Sequence, residues 1–248
     1  MGAIYRREMG SFFTSGLGYV FLTVFYIASG YFFYNDVVKS GLSDTSPMFV
    51  SMLLVVIFLI PVLTMRLISE EKKNRTDQGL LTAPIGLWEL VLGKFFAAFT
   101  LFVIAESIVF LYAGILKYLG SVVWSSLLGN YFAMLILGAA FIAIGVFISS
   151  LTENQMSSAV VSVFFFLVLY LFDESTLDKL NSNSLISKTF SVETRDKVIG
   201  FLSKLSIHSR YTEFTKGVFS LSSIVFFLSI VFLFNFFTVK VLEKKRWA

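Results

Sequence analysis

One carboxylic acid, Glu106, lies inside a long apolar run, FFAAFTLFVIAESIVFLYAGIL at residues 95–116. An ionisable group inside a membrane segment is costly, and it is therefore a functional hypothesis by default. The Glu106 carboxylate could neutralise a cationic partner, line a substrate path or carry a proton. It could equally be a protonated or hydrogen-bonded structural residue facing the interior of a helix bundle, because a single acid without a second site forms no proton relay.

Other chemistry finds little support in the sequence. A phosphate-binding loop needs Gly, four residues, then Gly-Lys-Ser/Thr, whereas Gly86 and Gly93-Lys94 are separated by six residues and followed by Phe95. His208 is the only histidine, and the chain contains no cysteine. We therefore expect no catalytic, metal or cofactor site, and any ATP used would be bound by another chain.

The composition defines the class of protein that positions these residues. Of 248 residues, 56% are hydrophobic and only 15% are charged, and the mean hydropathy is +0.82. So few charges could not cover the surface of a soluble domain with so large a core. We predict one membrane domain over residues 1–248. The net charge of +4 is modest, and we expect no nucleic-acid partner.

Six apolar runs are long enough to cross a bilayer as helices, which requires roughly 20 residues each. The fold class is thus an all-α membrane protein. The predicted spans are about 17–34, 48–65, 95–116, 122–149, 156–172 and 218–239.

Lysine and arginine in the short flanks predict the orientation, because these residues stay on the cytoplasmic side. With the N-terminus inside, the inner flanks hold Arg6, Arg7, Arg66, Lys72, Lys73, Arg75, Lys94, Lys240, Lys244, Lys245 and Arg246. The short outer loops hold only Lys39 and Lys117. Both termini and the 66–94 loop are therefore predicted to be cytoplasmic.

The residues before the first span predict a short amphipathic helix in the inner membrane interface. Apolar side chains recur at helical spacing from Tyr5 to Phe13, with Arg6, Arg7 and Glu8 on the opposite side. The alternative is an ordinary polar lead-in to the span.

The loop between the second and third spans has a polar part and an amphipathic part. In the first, Glu70 with Asn74 and Glu71 with Arg75 stand at i,i+4 spacing, which favours a helix leaving the membrane. After Pro84 the sequence predicts a short helix along the inner surface that ends where the third span begins. That helix could be a mere interfacial connector or a docking element for a soluble partner.

This loop resembles the first cytoplasmic loop of ABC-2 type transporter permeases, which have six spans per subunit. The residues that carry the resemblance are Arg66, Glu70, Glu71, Leu80, Leu81, Pro84, Gly93 and Lys94. The opening segment, IYRREMGSFFTSGLGYVFLTVFYIASGYFFY, is most similar to the gliding-motility permeases of Bacteroidetes (the GldF type). Ser15-Gly16 stands where that type usually has Ser-Pro.

The resemblance implies a permease of the bacterial inner membrane that pairs with a second permease, as a homodimer or heterodimer. A separate ABC-type ATPase would drive export or a cell-envelope process such as gliding motility, with membrane lipid and an auxiliary envelope protein as further partners. The loop around 70–90 would be the coupling helix. The implied ATPase-coupling residues are Glu70, Glu71, Arg75, Leu80, Leu81, Pro84, Trp88 and, in the second inner loop, Glu153.

Two further stretches have open interpretations. Small residues such as Gly138 and Gly145 in the fourth span, and Ser157 to Ser162 in the fifth, favour close helix packing, within one subunit or, by the resemblance, at a dimer contact. The outer 173–217 segment predicts an amphipathic helix on the membrane surface, where the family has re-entrant helices, or else a surface loop.

Two functions compete with the permease. One is a six-span scaffold or assembly protein without transport. The other is a proton-coupled secondary transporter that uses Glu106.

Overall fold

The computed structural model describes residues 1–41, 43–76, 85–120, 122–171, 211 and 221–247. These residues form helices and no strand. The helices are α1 (Gly2–Thr14), α2 (Leu17–Phe32, continued by a π-helix at Phe33–Val38), α3 (Ser46–Thr64), α4 (Arg66–Lys73), α5 (Leu87–Glu106), α6 (Val109–Leu119), α7 (Trp124–Leu151), α8 (Gln155–Leu171) and α9 (Leu221–Trp247).

Five helical stretches of the described chain are long and apolar enough to cross a membrane. They are Leu17–Val38, Ser46–Lys73, Leu87–Leu119, Trp124–Leu151 and Leu221–Arg246. The predicted span at 156–172 coincides with α8, an apolar helix of 17 residues. The all-α class is confirmed with five spanning helices, and the sixth span stays a prediction. The expected helix within 173–217 lies outside the described residues, apart from Tyr211, whose hydroxyl donates to the Phe49 carbonyl.

The long helix α7 is the centre of the bundle, and 78% of its most apolar stretch of 18 residues is buried. It packs against α3, α5 and α9, and its glycines permit this. A Cβ at Gly138 would lie 2.2 Å from Cε1 of Phe102, and one at Gly145 would lie 2.2 Å from Oγ1 of Thr64. Close packing within the subunit is thus confirmed for these glycines, as it is for the buried Ser158 of α8.

The third span begins earlier than predicted and is interrupted. The helix runs unbroken from Leu87 through Lys94 to Glu106. From Leu87 onward, the short surface helix expected after Pro84 is therefore the first part of α5 and not a separate helix. After Glu106 the backbone tightens: the Ile108 amide bonds the Ala105 carbonyl at 3.4 Å, and α6 starts at Val109.

The N-terminal helix is confirmed as a helix, but its buried face differs from the prediction. Ile4, Glu8 and Phe12, spaced by four residues, are buried, so Glu8 faces the bundle. The helix lies on α5, where Gly93 leaves room for it, because a Cβ at Gly93 would lie 2.9 Å from Cγ2 of Ile4. A carboxylate on this face requires a buried cation, and α5 supplies one.

Polar side chains also join the helices at the end of the bundle opposite α1. The Asp44 carboxylate accepts hydrogen bonds from the Ser46 amide (3.1 Å), the Ser46 hydroxyl (2.8 Å) and the Ser126 hydroxyl. The Asn130 amide donates to both serine hydroxyls, at 3.0 and 3.2 Å. These four residues, the Asp44 cluster, join the first turns of α3 and α7. Burial raises the pKa of Asp44, but the donated hydrogen bonds outweigh it and hold that pKa below its ordinary value.

Candidate functional site

The candidate site is the short polar helix α4, at the end of the bundle that carries α1 (the α1 end). Its first turn is held by Ser149 of α7. The Ser149 hydroxyl accepts from the amides of Ile68 (3.2 Å) and Ser69 (3.0 Å) and donates to the Met65 carbonyl at 3.0 Å. One hydroxyl thus contacts two amides and one carbonyl of the first turn of α4. Lys72 donates to the Ser150 carbonyl, which joins α4 to the end of α7 a second time.

The C-terminus of α4 closes in a Schellman motif. The Thr76 amide bonds the Glu71 carbonyl at 2.9 Å, and the Arg75 amide bonds the Lys72 carbonyl at 3.1 Å. Arg75 has φ 56°, the one non-glycine residue with positive φ in the described chain. Glycine is favoured at this position, and a side chain there costs about 1 kcal/mol. The exposed Arg75 is therefore held in a strained backbone conformation beside the bundle.

An ionic group centred on a buried lysine, the Lys94 cluster, lies beneath α4 and consists of Arg7, Glu8, Glu71 and Lys94. Lys94 is 1% exposed, and its ammonium contacts Oε1 of Glu8 at 3.0 Å, Oε1 of Glu71 at 2.8 Å and the Leu67 carbonyl at 2.6 Å. Arg7 bonds Glu8 at 2.6 Å and also pairs with Glu71. The two cations and two carboxylates, which come from α1, α4 and α5, therefore neutralise one another. The ammonium of Lys94 is shielded from solvent.

The environment of Glu8 shows that the cluster favours the ionised carboxylate. Burial raises the pKa of Glu8, but the attraction of Lys94 and the hydrogen bonds from Arg7 and Lys94 outweigh it, so the pKa lies below its ordinary value of 4.5. The ionised form is the form that ties α1 to α5.

A cavity of about 290 Å³ opens beside the cluster. Arg66 lies on its wall, 3.2 Å from Glu70, donates to the hydroxyls of Ser11 and Ser15, and lies 5.6 Å above the ring of Phe12. Arg66 thus adds a second connection between α4 and α1.

The predicted coupling residues divide into four groups. Glu70, Glu71 and Arg75 are brought together on α4 and its C-terminal turn. Trp88 lies in the first turn of α5 and stacks on Phe232 of α9, with ring centroids 6.3 Å apart. Glu153 is exposed in the turn that follows α7. The remaining three, Leu80, Leu81 and Pro84, lie outside the described residues.

Glu106 is separate from this site, at the interruption of the third span. It is 2% exposed, and its Oε2 has no hydrogen-bond partner among the described residues. It interacts electrostatically with Tyr112, Tyr131 and Tyr211. No group of acidic or histidine side chains in the described part of the chain could hold a metal ion.

Sequence reasoning missed Arg7, Glu8 and Ser149 as parts of the site. A signal for the ionic partners was present: Lys94 stands in an apolar run, and a buried lysine requires an anion nearby. Ser149 gave no such signal, because it stands in a predicted span made of apolar and small residues.

A protein-family model described as "ABC-2 family transporter protein" matches residues 3–241 of the chain. No curated protein matches it. The matched range contains α2 to α8, the Lys94 cluster, and all of α1 and α9 except their terminal residues.

Proposed function

Because the chain belongs to the ABC-2 family of transporter proteins and is the multi-pass membrane component of such a transporter, we propose that it couples to a separate ABC-type ATPase through α4. Such permease domains typically have no catalytic activity of their own, so the permease contributes the path and the ATPase contributes the energy. Hydrolysis in the ATPase moves α4, and α4 moves the spans attached to it.

The observation that carries this proposal is the way α4 is mounted. Its inner face is bonded to α1, α5 and α7 through Glu71, Lys72 and Ser69. Its end presents exposed polar residues, Lys73 to Thr76. A rigid polar segment attached to three helices is suited to receiving a force from a soluble partner.

Several features of the whole assembly belong to the same proposal. Two copies of the permease, or this chain and a relative, form the membrane part, in contact with lipid and an auxiliary envelope protein. The membrane is the bacterial inner membrane, and both termini and α4 face the cytoplasm. The bias of eleven basic residues in the inner flanks against two in the short outer loops supports this orientation.

The central test is to purify the chain from its native membrane, identify the ATPase that accompanies it, and reconstitute both in nanodiscs. Arg75→Gly is the sharpest variant, because glycine keeps or improves the backbone of the Schellman motif and removes only the exposed side chain. We expect Arg75→Gly and Glu153→Gln to weaken ATPase binding and the stimulation of ATP hydrolysis by the permease.

Lys117→Gln is the matched control, because Lys117 is an exposed cation in the last turn of α6, at the other end of the bundle. It should leave ATPase binding and stimulation unchanged. Purification without any ATPase, or equal effects of Arg75→Gly and Lys117→Gln, contradicts the proposal.

The orientation can be tested directly because the chain contains no cysteine. Arg75→Cys should react with a membrane-impermeant maleimide only after the cells are opened. Tyr118→Cys, at a position where tyrosine is 92% exposed, should react in intact spheroplasts. The reverse pattern places α4 outside and excludes its contact with a cytoplasmic ATPase.

The biological process that the transporter serves is the most specific part of the proposal. Similarity of residues 4–34 to the gliding-motility permeases favours a cell-envelope machine over export of a small solute. Deletion of the gene in its host should then abolish surface gliding. A six-span scaffold instead predicts ATPase rates that are indifferent to Glu70, Glu71 and Pro84.

The isolated carboxyl of Glu106 favours a second candidate, a proton-coupled secondary transporter. A buried carboxyl with one oxygen that has no hydrogen-bond partner within the described part of the chain could exchange a proton during transport. Liposomes that contain the permease but no ATPase should then pass protons, and Glu106→Gln should abolish this flux. Proton-tight liposomes exclude this candidate.

A further inference from the structure

Lys94 contacts three partners on elements that are distant in sequence. Its ammonium donates hydrogen bonds to Glu8 of α1 at 3.0 Å and to the Leu67 carbonyl of α4 at 2.6 Å, and it forms an ion pair with Glu71 of α4 at 2.8 Å. The lysine itself belongs to α5. One buried side chain therefore joins the N-terminal helix, the site helix and the third span at a single point.

Arg7 closes this arrangement into a ring of charges. It bonds both carboxylates that bond Lys94. Loss of one buried member leaves the remaining buried charges uncompensated, which costs far more than the loss of a surface pair. The three helices are therefore held in one relative arrangement at this point.

The second inner loop belongs to the same rigid unit. Ser149 and Ser150 bond α4, and α7 ends at Leu151, two residues before Glu153. The two segments predicted to contact the ATPase, α4 and the turn at Glu153, thus stand on directly bonded parts of the bundle.

We infer that Lys94 is a positioning residue for energy coupling, which joins α1, α4 and α5 into one body so that a displacement of α4 is transmitted to the third span. This inference rests on the proposed function, since the displacement originates in the ATPase. Lys94 contacts neither ATP nor substrate and acts through α4. A residue that only stabilised the fold would change stability without changing transmission.

The test measures distances between spin labels in the permease–ATPase complex in nanodiscs, with and without trapped ATP. The absence of cysteine in the chain allows clean labelling. A pair at Arg6 and Lys73, both exposed, reports the arrangement of α1 and α4. A pair at Lys73 and Tyr118 reports transmission to the far end of the third span.

The variants are Lys94→Met, Glu71→Ala and the control Lys240→Met. Lys240 also forms an ion pair, with Glu243 at 2.7 Å, but its side chain is 57% exposed. The wild type and Lys240→Met should keep a narrow Arg6–Lys73 distance in both states and an ATP-dependent shift of the Lys73–Tyr118 distance. Lys94→Met should broaden the first distance and lose the shift while the ATPase remains bound, and Glu71→Ala should likewise broaden the first distance and lose the shift.

The outcomes separate the two proposals. Retention of the shift in both Lys94→Met and Glu71→Ala overturns the role of Lys94. If Lys94→Met does not assemble, Glu71→Ala decides alone, since it leaves the pairs of Lys94 and Arg7 with Glu8 in place. A wild type that captures no ATPase overturns the proposed function and this inference together, whereas a wild-type shift that survives in the variants overturns the inference only.

Discussion

The two ends of the bundle are both joined by clusters of polar side chains, but with different chemistry and burial: Lys94 is 1% exposed, whereas Asp44 is half-buried. At the α1 end, the Lys94 cluster pairs full charges of both signs from three helices. At the opposite end, the Asp44 cluster surrounds one carboxylate with hydroxyl and amide donors. Charge pairs resist separation and fix one arrangement, whereas a hydroxyl network loses single bonds at modest cost. The α1 end therefore has the rigidity that the proposed coupling to an ATPase requires.

The largest effect is expected from Lys94→Met. It leaves Glu8 and Glu71 buried with only Arg7 for compensation, and the loss of one partner from a buried ion pair costs about 3–5 kcal/mol. Thermal unfolding in detergent, followed by tryptophan fluorescence, measures it. Lys240→Met, which breaks an exposed pair, should cost no more than about 1 kcal/mol. Equal effects of the two variants would remove the distinction between buried and exposed ion pairs on which this ranking depends.

At the opposite end, Asp44→Ala should cost less, about 1–3 kcal/mol, because it removes an ionised acceptor from neutral donors of Ser46 and Ser126, whose hydroxyls still lie 3.0 Å from each other. Asp36→Ala is the matched comparison, because the Asp36 carboxylate accepts a single side-chain hydrogen bond within the described residues, from the Ser51 hydroxyl at 2.7 Å. The same unfolding assay should place Asp36→Ala below Asp44→Ala. A cost for Asp44→Ala equal to that of Lys94→Met would contradict the ranking.

A packing change without charge sharpens the comparison further. In Gly145→Ala the new methyl group meets Thr64, next to the Met65 carbonyl that Ser149 bonds, and overpacking of this kind costs about 1–3 kcal/mol. Gly114 of α6 has no atom within 4 Å of its Cβ position, so Gly114→Ala should stabilise the helix by about 0.5–1 kcal/mol. Opposite signs in the melting temperatures are the expected result.

Acid should weaken both ends, with the smallest effects. The lowered pKa of Glu8 means that its contribution is complete above its ordinary value of 4.5 and is lost as the pH falls through the lower value of the folded state. For Asp44 the corresponding loss begins below 3.8. Melting temperatures from pH 7 downward should show Glu8→Gln to be less acid-sensitive than the wild type. An unchanged pH profile in Glu8→Gln would show that Glu8 is not the titrating group.

The spans could be predicted from sequence because each is a local property, an apolar run of about 20 residues. The burial of Glu8 could not, because it depends on Lys94, which stands 86 positions later in the chain. The interruption after Glu106 was equally hidden. It involves neither proline nor glycine, and the carbonyl freed there, that of Ile104, accepts from the Ser107 hydroxyl at 2.6 Å and the Tyr26 hydroxyl at 3.3 Å.

For the candidate site, the sequence predicted the position of the polar helix but not the side-chain contacts that hold it. The i,i+4 spacing of Glu71 and Arg75 predicted a polar helix, and α4 forms there. The same spacing suggested a pair between those two side chains, whereas Glu71 turns inward to Lys94. A buried lysine is a stronger attraction for a carboxylate than an exposed arginine, because the surrounding protein screens it less.

The interruption after Glu106 has a consequence for how the third span fits a bilayer. Leu87–Leu119 contains 33 residues, which as one straight rod would measure about 50 Å. The oily layer of a membrane is only about 30 Å thick, a length that α5 alone provides with its 20 residues. The interruption at Ser107 allows α6 to deviate from the axis of α5. The 11 residues of α6, about three turns, can then lie along the far headgroup region instead of extending beyond the membrane into water.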